Sequence, residues 1–177
     1  MKYFCSQSSF KNSWDDVVTA FWLRYPNPFS NHVLSEDTVD RRVSGDTLLT
    51  KRIFFKTARI PKWGEKFVST KYIPVLEESL LNRATKVMVT YSRNISYQRL
   101  MSIEERCTYQ VDPKLPGEQT LLKREAWFCC HLKGIATIVQ KISCERFKHH
   151  AANANKGLQF ALARQFLLAR QQQLHQE

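Results

Sequence analysis

The chain has 177 residues, 27 Lys and Arg against 16 Asp and Glu, a formal charge of +11 and 43% hydrophobic residues. A charged fraction of 24% with 12% aromatics is that of an ordinary globular domain and excludes a largely disordered or fibrous chain. No run approaches the roughly 20 apolar residues of a membrane-spanning helix, and the opening MKYFCSQSSFKNSW has neither a signal-type apolar core nor an acid-free, Arg-rich face, so any organelle address is expected to be carried in another way.

In chain order, residues 2–10 read as a short strand. Ser13 follows as a helix N-cap, with Asp15 and Asp16 placed to complement the helix dipole. Val17, Val18, Phe21 and Trp22 form one helical stripe, and Tyr25-Pro26-Asn27-Pro28 stops the helix just past Arg24, because a residue before proline is pushed out of the α region. From His32 to about His131 the pattern changes to β-branched and aromatic runs with short turn signals between them. Six strands are expected, at 33–43, 47–57, 71–81, 85–94, 101–111 and 119–131, joined as an antiparallel meander by their short links. In the run 86–91 the odd positions are the more apolar, which marks one face as buried. After Gly134 the period returns to 3.6, giving one long helix with a bend expected in its small, polar middle at 149–157 and fraying at 173–177. The whole is a single domain over 1–172, an α+β arrangement in which a curved sheet wraps a C-terminal helix and can enclose a cavity.

The link 58–70, between the third and fourth strands of the chain, carries Arg59, Pro61, Trp63, Gly64 and Phe67. It reads either as a lid over something apolar or as a loop packed on the core.

Chemistry-bearing motifs are absent from this sequence: no GxSxG, HExxH, P-loop or GxGxxG occurs. The doublets Glu77-Glu78 and Glu104-Glu105 alternate faces on strands, so each can turn one carboxylate inward, and solvated pairing with Lys or Arg is expected over acid catalysis. Of the five cysteines, Cys5, Cys107, Cys129, Cys130 and Cys144, none shows CxxC spacing, and they read mostly as buried thiols. Neither Cys129-Cys130-His131 nor His149-His150 can present a set of metal ligands on one side, so no metal is expected. The basic excess is spread, with +3 over 1–60, +2 over 61–120 and +6 over 121–177. Without a clustered basic face or reader motif, nucleic acid ranks below an anionic membrane surface as partner.

One segment is diagnostic: Arg24-Tyr25-Pro26-Asn27-Pro28-Phe29-Ser30-Asn31-His32-Val33. It closely resembles the RYPNPYS-x-HV signature of the PRELI family (PRELI, slowmo and the yeast Ups proteins), which are phospholipid transfer proteins of the mitochondrial intermembrane space. The resemblance extends through RIPKW at 59–63, YSRNIS at 91–96, EERCTY at 104–109, REAW at 124–127 and NKG at 155–157. KYF at the start, FWxRYPNP and REAW place it with the PRELI branch, associated with phosphatidic acid, over the slowmo branch, associated with phosphatidylserine.

The resemblance implies a seven-stranded curved antiparallel sheet with a long C-terminal helix around a lipid cavity, similar to START and phosphatidylinositol transfer folds, with 58–70 as the lid. It implies a non-enzymatic carrier of phosphatidic acid between the two mitochondrial membranes in support of cardiolipin synthesis, and no cofactor beyond the bound phospholipid. It also implies a heterodimer with a small twin-CX9C protein. The alternatives are a phosphatidylserine carrier and an interaction protein that moves no lipid. Position by position, the family's head-group residues match Arg24, His32 and Lys56, and Arg146 stands where relatives have Lys or Arg. A further family lysine is replaced by Asn153, with Lys148 or Lys156 as candidates to compensate.

Overall fold

In the computed structural model, which describes residues 1–57, 70 and 72–174, seven strands form one antiparallel sheet. They are β1 (Lys2–Phe10), β2 (Val33–Ser44), β3 (Thr47–Thr57), β4 (Tyr72–Asn82), β5 (Val87–Asn94), β6 (Met101–Val111) and β7 (Thr120–Cys130). Their order, β1-β7-β6-β5-β4-β3-β2, is a meander from β2 to β7 with β1 laid against its last strand. Helix α1 (Trp14–Trp22) joins β1 to β2, and α2 (Ala136–Leu174) packs across α1, β7 and β1. The expected elements are all present, with ends within two residues of the boundaries read from the sequence.

The register creates inward rows that run across the sheet. Arg52 lies opposite Glu77, Glu77 opposite Ser92, Ser92 opposite Glu105 and Glu105 opposite Ala126. The neighbouring row is Thr50, Ser79, Thr90, Cys107 and Arg124. On β5 the buried residues are therefore Met88 and Thr90, not the more apolar odd positions. The alternation points the wrong way there because the inward surface of this sheet is partly polar, while Val87, Val89 and Tyr91 are only partly buried on the other side.

One core cluster closes the end of the molecule where α1 crosses α2. Trp14, Val17 and Phe21 of α1 meet Met88, Tyr109 and Leu122 of the sheet and Leu158 and Leu162 of α2. Burying each large apolar side chain contributes about 1.5–3 kcal/mol. A second cluster, Ala126, Phe128 and Cys144 with Phe4 and Phe147, seats the first half of α2 on the β1–β7 edge.

Ser13 accepts a hydrogen bond from the Asp16 amide at 3.2 Å, the expected cap. Helix α1 ends at Trp22, slightly before the expected stop, because its last carbonyls find partners outside the helix ladder. Arg24 Nη1 donates to the Phe21 carbonyl at 2.7 Å and Arg164 Nη2 to the Leu23 carbonyl at 3.1 Å. The chain then passes through a cis Tyr25-Pro26 bond. Asn27 holds this turn, donating to the Arg24 carbonyl at 2.7 Å and accepting from the Phe29 amide at 2.9 Å.

Helix α2 is continuous through 149–157 and spans Ala136–Leu174, and residues 175–177 of the tail expected to fray lie outside the described residues. The small residues of 149–157 serve close approach. Asn155 donates to Ser8 Oγ at 3.2 Å and accepts from Arg124, while a Cβ built on Gly157 would lie 2.8 Å from the Asn27 amide. Gly157→Ala is expected to cost about 1–2 kcal/mol net of alanine's better helix propensity, since the pinned Asn27 side chain cannot easily yield. Urea unfolding checks this, and an unchanged midpoint would show that Asn27 moves aside.

Candidate lipid-binding cavity

Between the concave face of the sheet and α2 lies a cavity of about 1220 Å³. Its apolar wall comes from Phe54, Val75, Ile103, Leu132, Val139 and Phe147. Three polar groups interrupt that wall.

The first centres on Glu77. Arg24 Nη2 donates to it at 2.9 Å and Arg52 Nε at 3.1 Å, with a further short contact from Arg52 Nη2, while Arg52 also reaches Glu36 at 3.4 Å. The Arg24 guanidinium stacks on the Phe21 ring, 3.8 Å from its centroid. Burial alone would raise the Glu77 carboxyl, but Arg24 and Arg52 outweigh it and hold that group below the usual carboxylate range. The second group is Arg124, paired with Glu105 and donating to Asn155 Oδ1 at 3.1 Å. Each doublet thus turns one carboxylate inward, as alternation requires, but the inward member is paired with arginine, buried in the case of Glu77 and partly buried in that of Glu105. Glu104 and Glu78 take the outer partners Tyr91 and Lys51.

The third group differs in charge balance. His32, Lys56, Arg146 and His150 all line the cavity, with the His32 and His150 rings 4.7 Å apart. Lys56 has no carboxylate within ion-pair distance among the described residues, and its ammonium lies 5.6 Å from the Phe54 ring centroid. Burial, Lys56 and His150 push the His32 imidazole down to about 4, so it is neutral at pH 7. Its folded pKa lies below the unfolded value of about 6.5, so the unfolded chain takes up the proton first and His32 erodes stability as pH falls through that window. An anion bound beside it would favour imidazolium. NMR titration should give a His32 midpoint well below 6.5 in lipid-free protein, rising by about one unit when a phosphate-monoester lipid is added. No change on addition would place the phosphate elsewhere.

The structure therefore brings Arg24, His32, Lys56 and Arg146 to one cavity. Lys148 is not among them: it is half-exposed and bonded to Glu145 at 2.8 Å, about 200° around the helix from His150. Lys156 is also on the outside, so neither lysine replaces the one absent at Asn153, which lines the cavity and contacts the His149 ring at 3.2 Å. Arg59, Pro61, Trp63, Gly64 and Phe67, expected to form a lid, lie outside the described residues.

Sequence reasoning missed Arg52, Glu77 and Arg124 as buried ionic groups and the partly buried Glu105 that pairs with Arg124. Arg52 shares its face of β3 with Phe54, and nothing in the strand's pattern marks a charged residue there as buried. Among the described residues there is no cluster of His, Cys, Asp or Glu able to hold a metal, and no helix long and apolar enough to cross a membrane. The five cysteines are free thiols, with Cys107, Cys130 and Cys144 buried.

A long helix closing a seven-stranded antiparallel sheet over an internal cavity defines a START-type fold. The crystal structure of TTHA0849 from Thermus thermophilus shares it with a TM-score of 0.64 at 14% identity, over 92% of this chain and 97% of that one. A START superfamily protein from Mycobacterium smegmatis does so with a TM-score of 0.52 at 13% identity, over 89% and 97%. The PRELI-like family model matches residues 15–167. The chain is 42% identical over 168 residues to the human PRELI domain-containing protein 1, mitochondrial, covering 93% of this chain and 76% of that protein. It is 32% identical over 156 residues to Protein UPS1, mitochondrial, of Saccharomyces cerevisiae, covering 86% and 88%. With Protein UPS2, mitochondrial, of the same yeast it shares 28% over 167 residues, covering 92% and 73%. The chain belongs to the PRELI-like family.

Proposed function

We propose that the protein is a non-enzymatic carrier that moves phosphatidic acid between the outer and inner mitochondrial membranes, working in the intermembrane space as a heterodimer with a small twin-CX9C protein and supplying cardiolipin synthesis. The observation that carries this reading is a large, mostly apolar cavity with Lys56, His32, Arg146 and His150 gathered on its wall. At about 1220 Å³ it exceeds the roughly 300–1,000 Å³ of ordinary small-molecule pockets. Two acyl chains carry on the order of 30 methylenes, each worth about 0.8 kcal/mol, so a diacyl lipid free in water lies more than ~20 kcal/mol above its membrane state. A covered apolar cavity removes that barrier.

A phosphate monoester with about −1.5 to −2 charges suits a lysine that lacks a carboxylate partner among the described residues. A serine head group adds an ammonium that needs a carboxylate, and among the described residues the carboxylates on the cavity wall are taken: Glu77 by two arginines, Glu105 by Arg124 and Glu145 by Lys148. This favours phosphatidic acid over phosphatidylserine. Transfer between donor and acceptor liposomes tests the reading. Phosphatidic acid should move faster than phosphatidylserine or phosphatidylcholine, whereas equal rates would remove the head-group argument and no transfer would favour an interaction protein.

A further inference from the structure

Antiparallel pairing gathers alternate strand ends on one side of the sheet. At one such side lie the starts of β2, β4 and β6, the ends of β3, β5 and β7, and the start of α2. Three described segments that shape it, 27–34, 93–103 and 131–144, contain no Asp or Glu and include Arg99, Lys133 and Lys141, while Arg93 pairs with Glu78 at 3.9 Å and Glu145 follows one turn beyond Lys141. The opposite side carries mixed and paired charge, with Arg83 on Asp46 at 3.3 Å and Lys86 on Asp15 at 2.5 Å. So the acid-free segments belong to one end of the molecule, and that end carries Ser96, Leu100, Leu132 and Val139 of the cavity wall.

Apolar side chains stand out from the same rim: Ile95 is 43% exposed and Ile138, in the first turn of α2, 60% exposed. The loop that presents Ile95 is held firmly. Asn94 donates to the Ser96 and Met101 carbonyls at 2.7 and 3.0 Å and accepts from the Ile103 amide at 2.8 Å. The Ile95 amide itself donates to the Pro74 carbonyl at 3.1 Å, and Tyr97 adopts a left-handed φ of 58°. A non-glycine residue in that region is retained only where surrounding structure enforces it. The exposure of Ile95 is therefore built into the loop.

The geometry points to this rim, the 95–100 loop with the first turns of α2, as the face that docks on an anionic lipid bilayer. Ile95 and Ile138 enter the head-group layer, and Arg99, Lys133 and Lys141 sit among lipid phosphates. Isolated apolar residues set among exposed cations, with no acid between them, complement a negatively charged interface. A protein partner would instead call for a contiguous apolar centre. Docking here rests on the carrier reading in one respect, since it turns the cavity wall near Leu100 and Leu132 toward the bilayer that supplies the cargo.

Another apolar patch, Phe166, Leu167 and Leu168, serves as the control, because Phe166 lies beside Leu115 and Glu118 at the opposite, mixed-charge end. The test is flotation of the full chain with phosphatidylcholine vesicles containing about 30% phosphatidylglycerol, an anionic lipid distinct from the cargo. The paired variants Ile95→Asp/Ile138→Asp and Arg99→Glu/Lys133→Glu should each lower vesicle binding at least tenfold, with cooperative unfolding and capture of a short-chain, water-soluble phosphatidic acid unchanged. Leu167→Asp/Leu168→Asp should float as the parent protein does. Rim variants that float normally, or that lose a protein partner while keeping vesicles, would overturn the proposal, as would loss of binding by the Leu167/Leu168 pair alone. If the parent fails to capture soluble phosphatidic acid while the rim variants still lose vesicles, the cargo assignment falls and the docking face stands.

Discussion

Glu77→Ala is expected to be the most destabilising single substitution in the cavity, at about 3–5 kcal/mol, because it leaves Arg24 and Arg52 buried without their shared counter-ion. The full cost follows from what remains: two guanidinium groups packed against Phe21, Trp22 and Phe54, with Glu36 as the only other carboxylate in contact with either among the described residues. The pH dependence has a definite sign. The Glu77 pKa is lower folded than unfolded, so its contribution is complete above the unfolded carboxylate value of about 4.3 and is lost as pH falls through the folded one. Urea unfolding at pH 7 and pH 4 measures both effects. The parent protein should lose stability on acidification, the Glu77→Ala variant should lose less, and a parallel loss in the two proteins would assign the acid sensitivity to other groups.

Lys56→Glu combined with Arg146→Glu is expected to reduce phosphatidic acid transfer more than tenfold while leaving the fold cooperative. Charge-assisted hydrogen bonds contribute about 1.5–3 kcal/mol each, and reversal adds repulsion of the phosphate. Lys56 is the more informative of the two positions because it has no carboxylate within ion-pair distance among the described residues, and Glu77, which feels its charge, keeps both of its arginines when Lys56 is replaced. Arg24→Glu, the substitution that the family signature suggests, is a poorer probe. It would set a new carboxylate against Glu77 and remove the donor to the Phe21 carbonyl, so lost transfer would be inseparable from lost folding. Transfer rates measured beside unfolding midpoints separate the roles: a normal midpoint with normal transfer in the Lys56/Arg146 pair would move the phosphate site away from this group.

The elements were legible because local and tertiary preferences agree. Ser13 caps the helix it was expected to cap, Gly45 takes a positive φ in the β2–β3 turn, and the β-branched runs became strands with little shift in their ends. Periodicity failed where the interior is polar. On β5 the apolar odd positions pointed the wrong way, and on β3 Arg52 turns inward on the same face as Phe54, since a cavity lined by Thr90, Ser92, Glu77 and Arg124 does not follow the apolar-inward rule. The small polar run at 149–157 also has a packing role: Asn155 and Gly157 are the residues by which the continuous helix grips β1, β7 and the Asn27 turn.

The candidate site was legible only through resemblance. Composition and spacing offer no reason to join Arg24 and His32, on the α1–β2 connection, with Lys56 on β3 and Arg146 on α2. Even with the family signature in hand, the division of labour came from geometry: Arg24 is satisfied by Glu77 and a helix carbonyl, Lys56 is left without a carboxylate among the described residues, and Lys148 faces away. The substitution at Asn153 also acquires a physical context, since its neighbour is the His149 ring and no outer lysine reaches across to fill the place.

The central claim is that the cavity carries phosphatidic acid. Native mass spectrometry with lipid extraction, applied to the protein co-expressed with the proposed twin-CX9C partner, tests this most directly. The account expects one phosphatidic acid per protein, retained in the parent and depleted in the Lys56→Glu/Arg146→Glu variant. Phosphatidylserine at the same stoichiometry, a neutral phospholipid held equally by parent and variant, or a cavity free of lipid would contradict it.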